Sequence, residues 1–378
     1  MKIGIDAFWY FDGYSSLQRV TLNLINNLLL YDKENDYVVF LDKRFEKEKF
    51  PHGPNSRVSL RYIETGSLRY NLFMKLFILP YYSYQDKIDI FITQYYSSPF
   101  SRGKRVAFIY DILYESYPHL FTKQERYQLW PQKILSRMAH YIITISESEK
   151  KRLLQFKYAK RPDQIAVFPL TAHEQFKSKN LFTEGEIIRV KEKYQLPDEF
   201  LLYVGLMSGR KNLDNLLRAL PYLSVPIPLV ITGNRHPSYP SNHLTIIEEL
   251  KLENRVLFTG FVDDTDLKII YALAKVFCFP SLAEGFGLPP LESLSAGVPV
   301  AVSNRTSLPE VCGEAGVYFN PEKPIEIGDA INKLQNDPDF YQYQKSLCIA
   351  QSAQFNWKES AIALIDLFNS IKIDLNHG

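Results

Sequence analysis

Two glutamates on either side of a glycine loop are the residues of this chain best placed to do chemistry. Residues 283–292 read Ala-Glu-Gly-Phe-Gly-Leu-Pro-Pro-Leu-Glu, so Glu284 precedes the loop and Glu292 follows it. The paired prolines suit a helix start, because proline fixes φ and has no N–H to lose. The loop amides can then bind an anion at the positive end of the helix. We predict anion-binding amides at Gly285, Phe286, Gly287 and Leu288.

The two carboxylates need a partner other than phosphate, because negative charges repel each other. Carboxylate oxygens accept hydrogen bonds well from neighbouring hydroxyl groups. A phosphate with hydroxyls on both sides describes a nucleotide sugar. We therefore predict that Glu284 contacts the hexose and that Glu292 holds the ribose. The alternative interpretation is a polar turn capped by a short surface helix.

A second polar loop follows the apolar run at residues 200–204. It begins at Gly205, carries Arg210 and Lys211, and ends where a helical pattern starts at Leu213. Arginine offers a fork of donors and lysine a point charge, so the pair suits a diphosphate. Two solvated basic residues are the alternative, but cations at a helix start oppose the helix dipole. The loop is therefore predicted to clamp a diphosphate.

Loops after two other predicted strands add donor-binding candidates. Phe261 and Val262 follow the apolar run at residues 256–259 and are predicted to hold a base edge through backbone hydrogen bonds. Asn304 and Ser307 follow the run at residues 300–302. They supply an amide and a hydroxyl to the same crevice, and Ser307 is equally suited to cap the next helix.

Two acidic positions have more than one interpretation. Asp111 ends the apolar run at residues 106–110, where it could touch an acceptor or sugar hydroxyl, cap a helix or form a salt bridge. Residues 263–266 contain an Asp-x-Asp pattern, but acidic caps in the first turn of a helix explain it. There is no CxxC and no Cys/His cluster either, so no metal site is predicted.

Length and charge limit the partners. A chain of 378 residues indicates two domains. Residues 1–185 hold 27 Lys and Arg against 19 Asp and Glu (+8), and residues 186–378 hold 17 against 23 (−6). A basic half joined to an acidic half indicates that one face meets an anionic partner. Nucleic acid is not predicted, because there is no binding motif and no dense basic stripe.

The same composition gives an expectation about location. The chain begins with a strand pattern rather than a signal peptide, and no apolar run reaches membrane-spanning length. We expect a soluble cytoplasmic protein. Residues 67–85 are aromatic, apolar and lightly basic, which fits either an interfacial helix on anionic lipid or a buried helix of the first domain. Peripheral contact with the inner face of the plasma membrane is therefore left open.

Short apolar runs alternate with helical patterns along the whole chain. The runs do not alternate with polar residues, which predicts parallel strands covered by helices on both faces. The predicted class is α/β, with two doubly wound Rossmann-like domains. The predicted strands are 2–6, 37–41, 88–92, 106–110, 141–146 and 165–168, then 200–204, 229–232, 256–259, 276–279 and 300–302.

The domain boundary is expected between Pro169 and Pro197. We place the first, acceptor-binding domain at residues 1–172 and the second, donor-binding domain at residues 173–355. A helical pattern at residues 356–378 is expected to pack back on the first domain. Ligands in such folds bind beyond the carboxyl ends of the strands, where all the candidate loops fall.

Three motifs together resemble a known family. Glu284 and Glu292 form an E-x7-E motif, with Gly205…Arg210-Lys211-Asn212 before it and Ser307-Leu-Pro-Glu-Val after it. The chain resembles the retaining glycosyltransferases of family 4, which have the two-domain GT-B fold. The likeness is strong after about residue 200 and looser before it. The phrase from Ser303 onward is similar to the bacterial mannosyltransferase branch that builds O-antigen and other surface polysaccharides.

The resemblance implies an activity and its substrates. It implies retaining transfer of a hexose from a nucleotide sugar, with GDP-mannose favoured and a UDP-sugar next, to a glycan or lipid-linked glycan. Such enzymes need no metal, and the donor phosphate itself takes the acceptor proton, so no protein general base is required. The alternatives are a non-catalytic subunit that binds nucleotide sugars and a GT-B sugar-nucleotide epimerase.

This chain departs from the family pattern at two positions of the first half. The family's glycine-rich loop after the first strand is reduced here to Gly13, the candidate for backbone approach to a phosphate. The family's His-Asp pair is Tyr110-Asp111 here, and tyrosine does not titrate near neutrality. Both departures lie in the acceptor half and predict an altered acceptor site, with a weakened enzyme as the alternative.

Overall fold

The structure is a computed structural model that describes residues 1–8, 16–46, 57–64, 72–172, 176–234 and 242–377. The chain divides into two compact units. The first unit comprises Met1–Ser116, Lys123–Leu170 and Asn356–Gly378, and the second comprises Tyr117–Thr122 and Thr171–Phe355. Gly13 lies outside the described residues, so its predicted role is not addressed by the structure.

A seven-stranded sheet forms the core of the first unit. All its neighbouring strands are parallel, in the order β3-β2-β1-β4-β5-β6-β7. The order reverses direction between β1 and β4, which is the topological switch point of a doubly wound sheet. The strands are β1 (Lys2–Asp6), β2 (Asp36–Asp42), β3 (Val58–Ile63), β4 (Ile90–Gln94), β5 (Lys104–Phe108), β6 (Tyr141–Thr144) and β7 (Ile165–Val167).

A six-stranded parallel sheet forms the core of the second unit, in the order β10-β9-β8-β11-β12-β13. Its switch point lies between β8 and β11. Continuous apolar runs such as Val-Phe-Cys-Phe in β11 are buried along their whole length, as central strands covered on both faces must be. The strands are β8 (Leu201–Val204), β9 (Leu229–Thr232), β10 (Val256–Gly260), β11 (Val276–Phe279), β12 (Val300–Ser303) and β13 (Gly316–Phe319).

Helices connect the strands in both units. The described helices are α1 (Ser16–Tyr31), α2 (Leu79–Gln85), α3 (Leu113–Ser116), α4 (Lys123–Ser136), α5 (Glu147–Gln155), α6 (Glu184–Tyr194), α7 (Leu213–Ala219), α8 (His243–Glu249), α9 (Asp264–Leu273), α10 (Leu288–Ser295), α11 (Leu308–Cys312), α12 (Pro324–Asn336), α13 (Pro338–Ala353) and α14 (Trp357–His377). A π-helical segment, Met74–Ile78, leads directly into α2. None of the helices in the described ranges is long and apolar enough to cross a membrane.

The predicted fold class is confirmed, because both sheets are parallel and doubly wound. The sequence missed β3 and β13, which both lie at a sheet edge. It also placed β4 two residues too early and extended β5 two residues too far, to Tyr110. The first-unit helix α14 packs against α1 and β7, where the Trp357 and Phe168 ring centroids lie 5.7 Å apart.

The capping interpretation of the acidic run at residues 263–266 agrees with the structure. The Asp263 side chain accepts from the backbone N–H groups of Thr265 and Asp266, both at 3.0 Å, and so caps α9. Asp266 pairs with Arg189 and with Lys193, each at 2.6 Å. In the described part of the chain, no group of three or more His, Cys, Asp or Glu side chains could hold a metal ion.

Candidate functional site

Two loops meet at the switch point of the second sheet and lock each other in place. One follows β8 and carries Arg210 to Asn212, and the other follows β11 and carries Pro280 to Gly287. Leu282 N–H donates to the Arg210 carbonyl at 2.9 Å, and the Asn212 side chain donates to the Pro280 carbonyl at 2.9 Å. Asn212 has a left-handed φ of 55°, a conformation that asparagine tolerates better than most residues.

A third loop, between β12 and α11, fixes the glycine loop by hydrogen bonds. The Ser307 hydroxyl contacts the Glu284 carbonyl at 3.0 Å and the Phe286 carbonyl at 2.5 Å. The Glu284 N–H donates to the Thr306 hydroxyl at 2.9 Å. Gly287 has a φ of 120°, and a Cβ there would lie 2.8 Å from the Leu308 side chain. The backbone leading into α10 therefore has a fixed path that requires glycine.

Glu284 lies between the two cations that the sequence assigned to a diphosphate. Its Oε2 is 2.9 Å from Arg210 Nη1, and its Oε1 is 2.8 Å from Lys211 Nζ. The Ser281 hydroxyl donates to the same Oε1 at 2.5 Å. Lys211 Nζ also lies 4.6 Å from the centre of the Phe279 ring, which adds a cation–π contact.

These contacts fix the charge of the glutamate. Burial alone would raise the pKa of Glu284, but Arg210, Lys211 and the hydrogen bonds from Lys211 and Ser281 outweigh it and lower the pKa to about 2. Burial, together with the Arg210 charge, lowers the pKa of Lys211, and Glu284 opposes that shift. The cluster therefore holds one ionised carboxylate against two basic groups.

The cluster retains capacity to bind an anion. The Arg210 side chain is 25% exposed and the Lys211 side chain 12%. Arg210 also donates to the Ala283 carbonyl, so the cluster holds two positive charges against the single carboxylate of Glu284. An entering diphosphate would share these donors with Glu284. The predicted division, with cations on the diphosphate and Glu284 on the hexose, requires that the three groups rearrange or act together.

The second predicted carboxylate, Glu292, lies one turn into α10. Its Oε2 accepts from the Tyr271 hydroxyl at 2.9 Å, and the side chain is almost fully buried. Its negative charge raises the pKa of Lys211, against the larger lowering effect of burial. The helix begins at Leu288 with proline in its first turn, as the sequence predicted. Both glutamates thus flank the amino end of α10.

The other donor-binding candidates have mixed environments. Gly205 has a positive φ, and a Cβ there would lie 3.8 Å from Lys211 Cε. Phe261 is exposed just beyond β10, whereas Val262 is buried. Asn304 is exposed, and its N–H donates to the Phe319 carbonyl at 3.0 Å. Gly285, Phe286 and Gly287 lie in the glycine loop itself.

The helix-capping role considered for Ser307 is not found in the structure. Ser307 stands at the start of α11, but its side chain makes no capping hydrogen bond there. The hydroxyl is fully buried and is used to hold two carbonyls of the glycine loop. It therefore positions the loop, because a capping residue would have to point its oxygen at the helix amides instead.

Asp111 belongs to the first unit. Its Oδ1 accepts from the Leu113 N–H at 3.3 Å at the start of α3, which is the capping contact left open by the sequence. The neighbouring Tyr110 is buried and stacks on Phe108, with ring centroids 4.6 Å apart. The Tyr110 side chain therefore packs inside the first unit and is not exposed for proton exchange.

Three residues that sequence reasoning did not assign to the second-unit site shape it: Ser281, Thr306 and Tyr271. Each contacts Glu284 or Glu292 directly, and Asn212, already part of the motif around Arg210 and Lys211, ties the two main loops together. Ser281 and Thr306 lie in the candidate loops, three residues before Glu284 and next to Ser307. Tyr271 comes from a distant part of the sequence, so only the fold brings it to the site.

Comparison with known proteins agrees with this geometry. Residues 185–347 match the family described as Glycosyl transferases group 1. The chain is 35% identical over 238 residues to serotype-specific mannosyltransferase WbdA of Escherichia coli. The matched region covers 62% of this chain and 29% of WbdA. It is 33% identical over 237 residues to O-antigen chain mannosyltransferase B of Escherichia coli, covering 61% of this chain and 60% of that protein.

Solved structures share the fold across nearly the whole chain. Sucrose-phosphate synthase from Thermosynechococcus elongatus matches with a TM-score of 0.77 and 20% identity, over 99% of this chain and 100% of that one. WaaG, a glycosyltransferase involved in lipopolysaccharide biosynthesis, matches with a TM-score of 0.70 and 14% identity, over 97% and 99%. The chain therefore shares the two-domain GT-B fold of these solved structures, and its residues 185–347 match the group 1 glycosyl transferase family.

Proposed function

We propose that this chain is a retaining glycosyltransferase that moves a hexose from a nucleotide sugar to a glycan or lipid-linked glycan in surface polysaccharide synthesis. GDP-mannose is the favoured donor, because the relatives in Escherichia coli are named as mannosyltransferases. A UDP-sugar is the next candidate, since the similar HepE of Anabaena was solved with UDP and glucose (TM-score 0.73, 19% identity).

One observation carries the proposal: an ionised glutamate is held between Arg210 and Lys211 beside a glycine loop at a helix start. As the bond between sugar and phosphate breaks, negative charge develops on the leaving diphosphate. The two cations and the loop amides would stabilise that charge without a metal ion, in a partly dry site where such contacts are strong. This is the chemistry that a glycosyl donor requires.

The two glutamates would orient the donor. Glu284 would accept hydrogen bonds from hexose hydroxyls while it stays ionised, and Glu292, fixed by Tyr271, would accept from the ribose. The acceptor hydroxyl would attack from the face that the diphosphate leaves, so the configuration at the anomeric carbon is retained. The departing phosphate would take the acceptor proton, and no side chain is needed as general base.

The direct test is transfer from GDP-mannose and UDP-sugars by the wild type and by Glu284→Ala. We expect the substitution to lower turnover at least roughly tenfold while the protein stays folded, since one lost site interaction of about 1.4 kcal/mol has that effect. Glu253→Ala, at an exposed glutamate of the same unit, is the matched control. The anomeric configuration of the product, read by NMR, tests retention.

Other outcomes separate the alternatives. Near-normal turnover in Glu284→Ala would remove the role assigned to that carboxylate. Donor binding without turnover by the wild type would favour a non-catalytic subunit. Conversion of the donor without any acceptor, with a changed sugar configuration, would favour an epimerase.

A further inference from the structure

The first unit exposes a stripe of large apolar side chains along α4. Tyr127, Trp130, Ile134 and Met138 are between 44% and 76% exposed. Their spacing of three or four residues puts them on one face of the helix and the turn that follows it. A surface helix ordinarily turns its apolar stripe toward the core. Here the core is served by other positions, including Pro131 and Leu135, so the exposed stripe needs another explanation.

The same face of α4 is basic. Lys123, Arg126 and Arg137 are exposed. At about 100° per residue, Lys123 falls within the arc of the apolar stripe, and Arg126 and Arg137 border it on the side away from the buried positions. Glu125, the acidic residue of this helix, falls on the opposite side by the same geometry. Apolar and positively charged side chains therefore share one face that contains no carboxylate of α4.

A second stripe lies on the segment that leads into α2. Phe73, Phe77, Tyr81 and Tyr84 are between 47% and 61% exposed. The Phe77 ring stacks on Phe100 with centroids 5.4 Å apart, and Phe73 lies 5.1 Å from Phe77. The opposite face of the segment is buried in the core of the first unit, through residues such as Met74 and Leu79.

The loop between β4 and β5 joins the two stripes. Arg105 donates to the Met138 carbonyl at 3.0 Å and to the Pro99 carbonyl at 3.5 Å. On the other side, the Ser98 hydroxyl donates to the Leu76 carbonyl at 2.8 Å. The two stripes are therefore neighbours around Phe100, and we call them together with Phe100 the aromatic face. Its residues are Phe73, Phe77, Tyr81, Tyr84, Phe100, Tyr127, Trp130, Ile134 and Met138.

We propose that the aromatic face is the surface by which this chain rests on a bilayer containing anionic lipid. Tyr and Trp side chains favour the boundary between headgroups and acyl chains, and nearby Lys and Arg bind lipid phosphates. Amphipathic helices of this kind lie in the plane of the bilayer with their apolar side inserted. The proposal rests on the proposed function in one respect, because it would bring the site to a lipid-linked acceptor.

Charge distinguishes a membrane from a second copy of the chain. Two copies docked symmetrically through this face would bring identical basic residues of both copies, such as Arg126 and Arg137, into one interface. Like charges brought together across an interface oppose association. An anionic lipid surface instead complements every charge on the α4 part of the face. The same reasoning predicts that binding weakens as salt is added.

The test is sedimentation of the full chain with vesicles of phosphatidylglycerol and phosphatidylethanolamine, compared with vesicles of phosphatidylcholine. We expect binding to the anionic vesicles only. Trp130→Ala, and separately the pair Arg126→Glu and Arg137→Glu, should each weaken binding at least roughly tenfold. Two matched controls should leave binding unchanged. One is Tyr343→Ala, at an aromatic side chain as exposed as Trp130, and the other is the pair Lys345→Glu and Lys358→Glu.

Trp130 also offers a spectroscopic readout that does not depend on weakened binding. Its fluorescence should shift to shorter wavelength on anionic vesicles, because the indole leaves water for the lipid boundary. Trp130→Phe should lose the shift but keep most of the binding, since phenylalanine preserves the apolar contact. Absence of binding to anionic vesicles would overturn the proposal, and so would equal losses in the control variants.

Two further outcomes separate a failure of the membrane assignment from a failure of the proposed function. A dimer in the wild type that Trp130→Ala converts to a monomer would overturn the lipid assignment in favour of a second copy. Donor turnover with a water-soluble acceptor should be unchanged in all these variants. If the wild type binds anionic vesicles through this face but no donor is turned over, the proposed function fails and the membrane assignment stands.

Discussion

Both sheets carry a lysine–carboxylate contact at their switch point, but the two contacts differ in access to solvent. In the first unit, Lys75 Nζ lies 3.1 Å from Asp6 Oδ2 and donates to the Gln94 carbonyl at 2.9 Å. The Lys75 side chain is 5% exposed and the Asp6 side chain 0%. In the second unit, Glu284 pairs with two cations, Arg210 and Lys211, which both reach solvent.

This difference separates a structural ion pair from one that can exchange partners. Lys75 and Asp6, which we call the sealed pair, are both buried, so a ligand cannot reach them and finds no excess positive charge there. The open cluster in the second unit has two partly exposed cations for one carboxylate. A ligand anion can compete with Glu284 there, whereas it cannot reach Lys75. The same place in two similar sheets thus serves different purposes.

The largest effect is expected from breaking the sealed pair. Lys75→Met should cost about 3–5 kcal/mol of unfolding free energy, because it removes the cation that pairs with the buried Asp6 carboxylate. Urea unfolding followed by the fluorescence of Trp130 and Trp357, which both lie in the first unit, measures it. The double substitution Asp6→Asn and Lys75→Met should recover most of the loss. A loss below about 1 kcal/mol would mean that the pair contributes no more than an exposed one.

A pH-dependent effect is expected from the open cluster. The pKa of Glu284 is lowered from 4.5 to about 2, so its ionised form favours the folded state. That contribution, on the order of 2–4 kcal/mol, is complete above pH 4.5 and is lost as the pH falls through about 2. Stability measured from pH 5 to pH 2 should therefore fall more steeply in the wild type than in Glu284→Gln. Parallel curves would contradict the ionised carboxylate.

The smallest effect is expected from the loop support. Ser307→Ala removes the hydroxyl that contacts two carbonyls of the glycine loop and should cost about 1–2 kcal/mol of stability. Because the loop amides would then be less fixed, the dissociation constant for GDP should rise several-fold, as calorimetric titration would show. Ser346→Ala, whose hydroxyl contacts only a carbonyl of its own helix, is the control. Equal GDP affinity in both variants would remove the positioning role.

The sequence located the interior strands, although it misplaced β4 and β5 by two residues, and it missed two strands at sheet edges. Runs such as Val276–Phe279 and Leu229–Thr232 were predicted with the right bounds, because a strand buried on both faces must be apolar throughout. Val58–Ile63 mixes Ser and Arg with apolar residues, and Gly316–Phe319 begins with glycine and is only partly buried. Both lie at sheet edges, where partial exposure relaxes the apolar requirement.

The sequence singled out the residues of the candidate site but did not predict their mutual contacts. The spacing of Glu284 and Glu292 around a glycine loop pointed to the helix start, and Arg210 and Lys211 pointed to the neighbouring loop. That Glu284 itself pairs with both cations depends on how the loops after β8 and β11 approach each other. Contacts between loops far apart in sequence leave no periodic pattern, so the roles of Thr306 and Tyr271 appear only in the fold.

The central claim, that the open cluster receives a nucleoside diphosphate, is tested most directly by thermal unfolding with GDP, UDP, ADP and dTDP. A ligand at about 100 times its dissociation constant adds roughly 2.7 kcal/mol, which raises the melting temperature by several degrees. We expect GDP alone to shift the wild type, with UDP as the alternative donor class. The shift should vanish in the pair Arg210→Ala and Lys211→Ala. An undiminished shift in that variant, or no shift with any of the four nucleotides, would contradict the account.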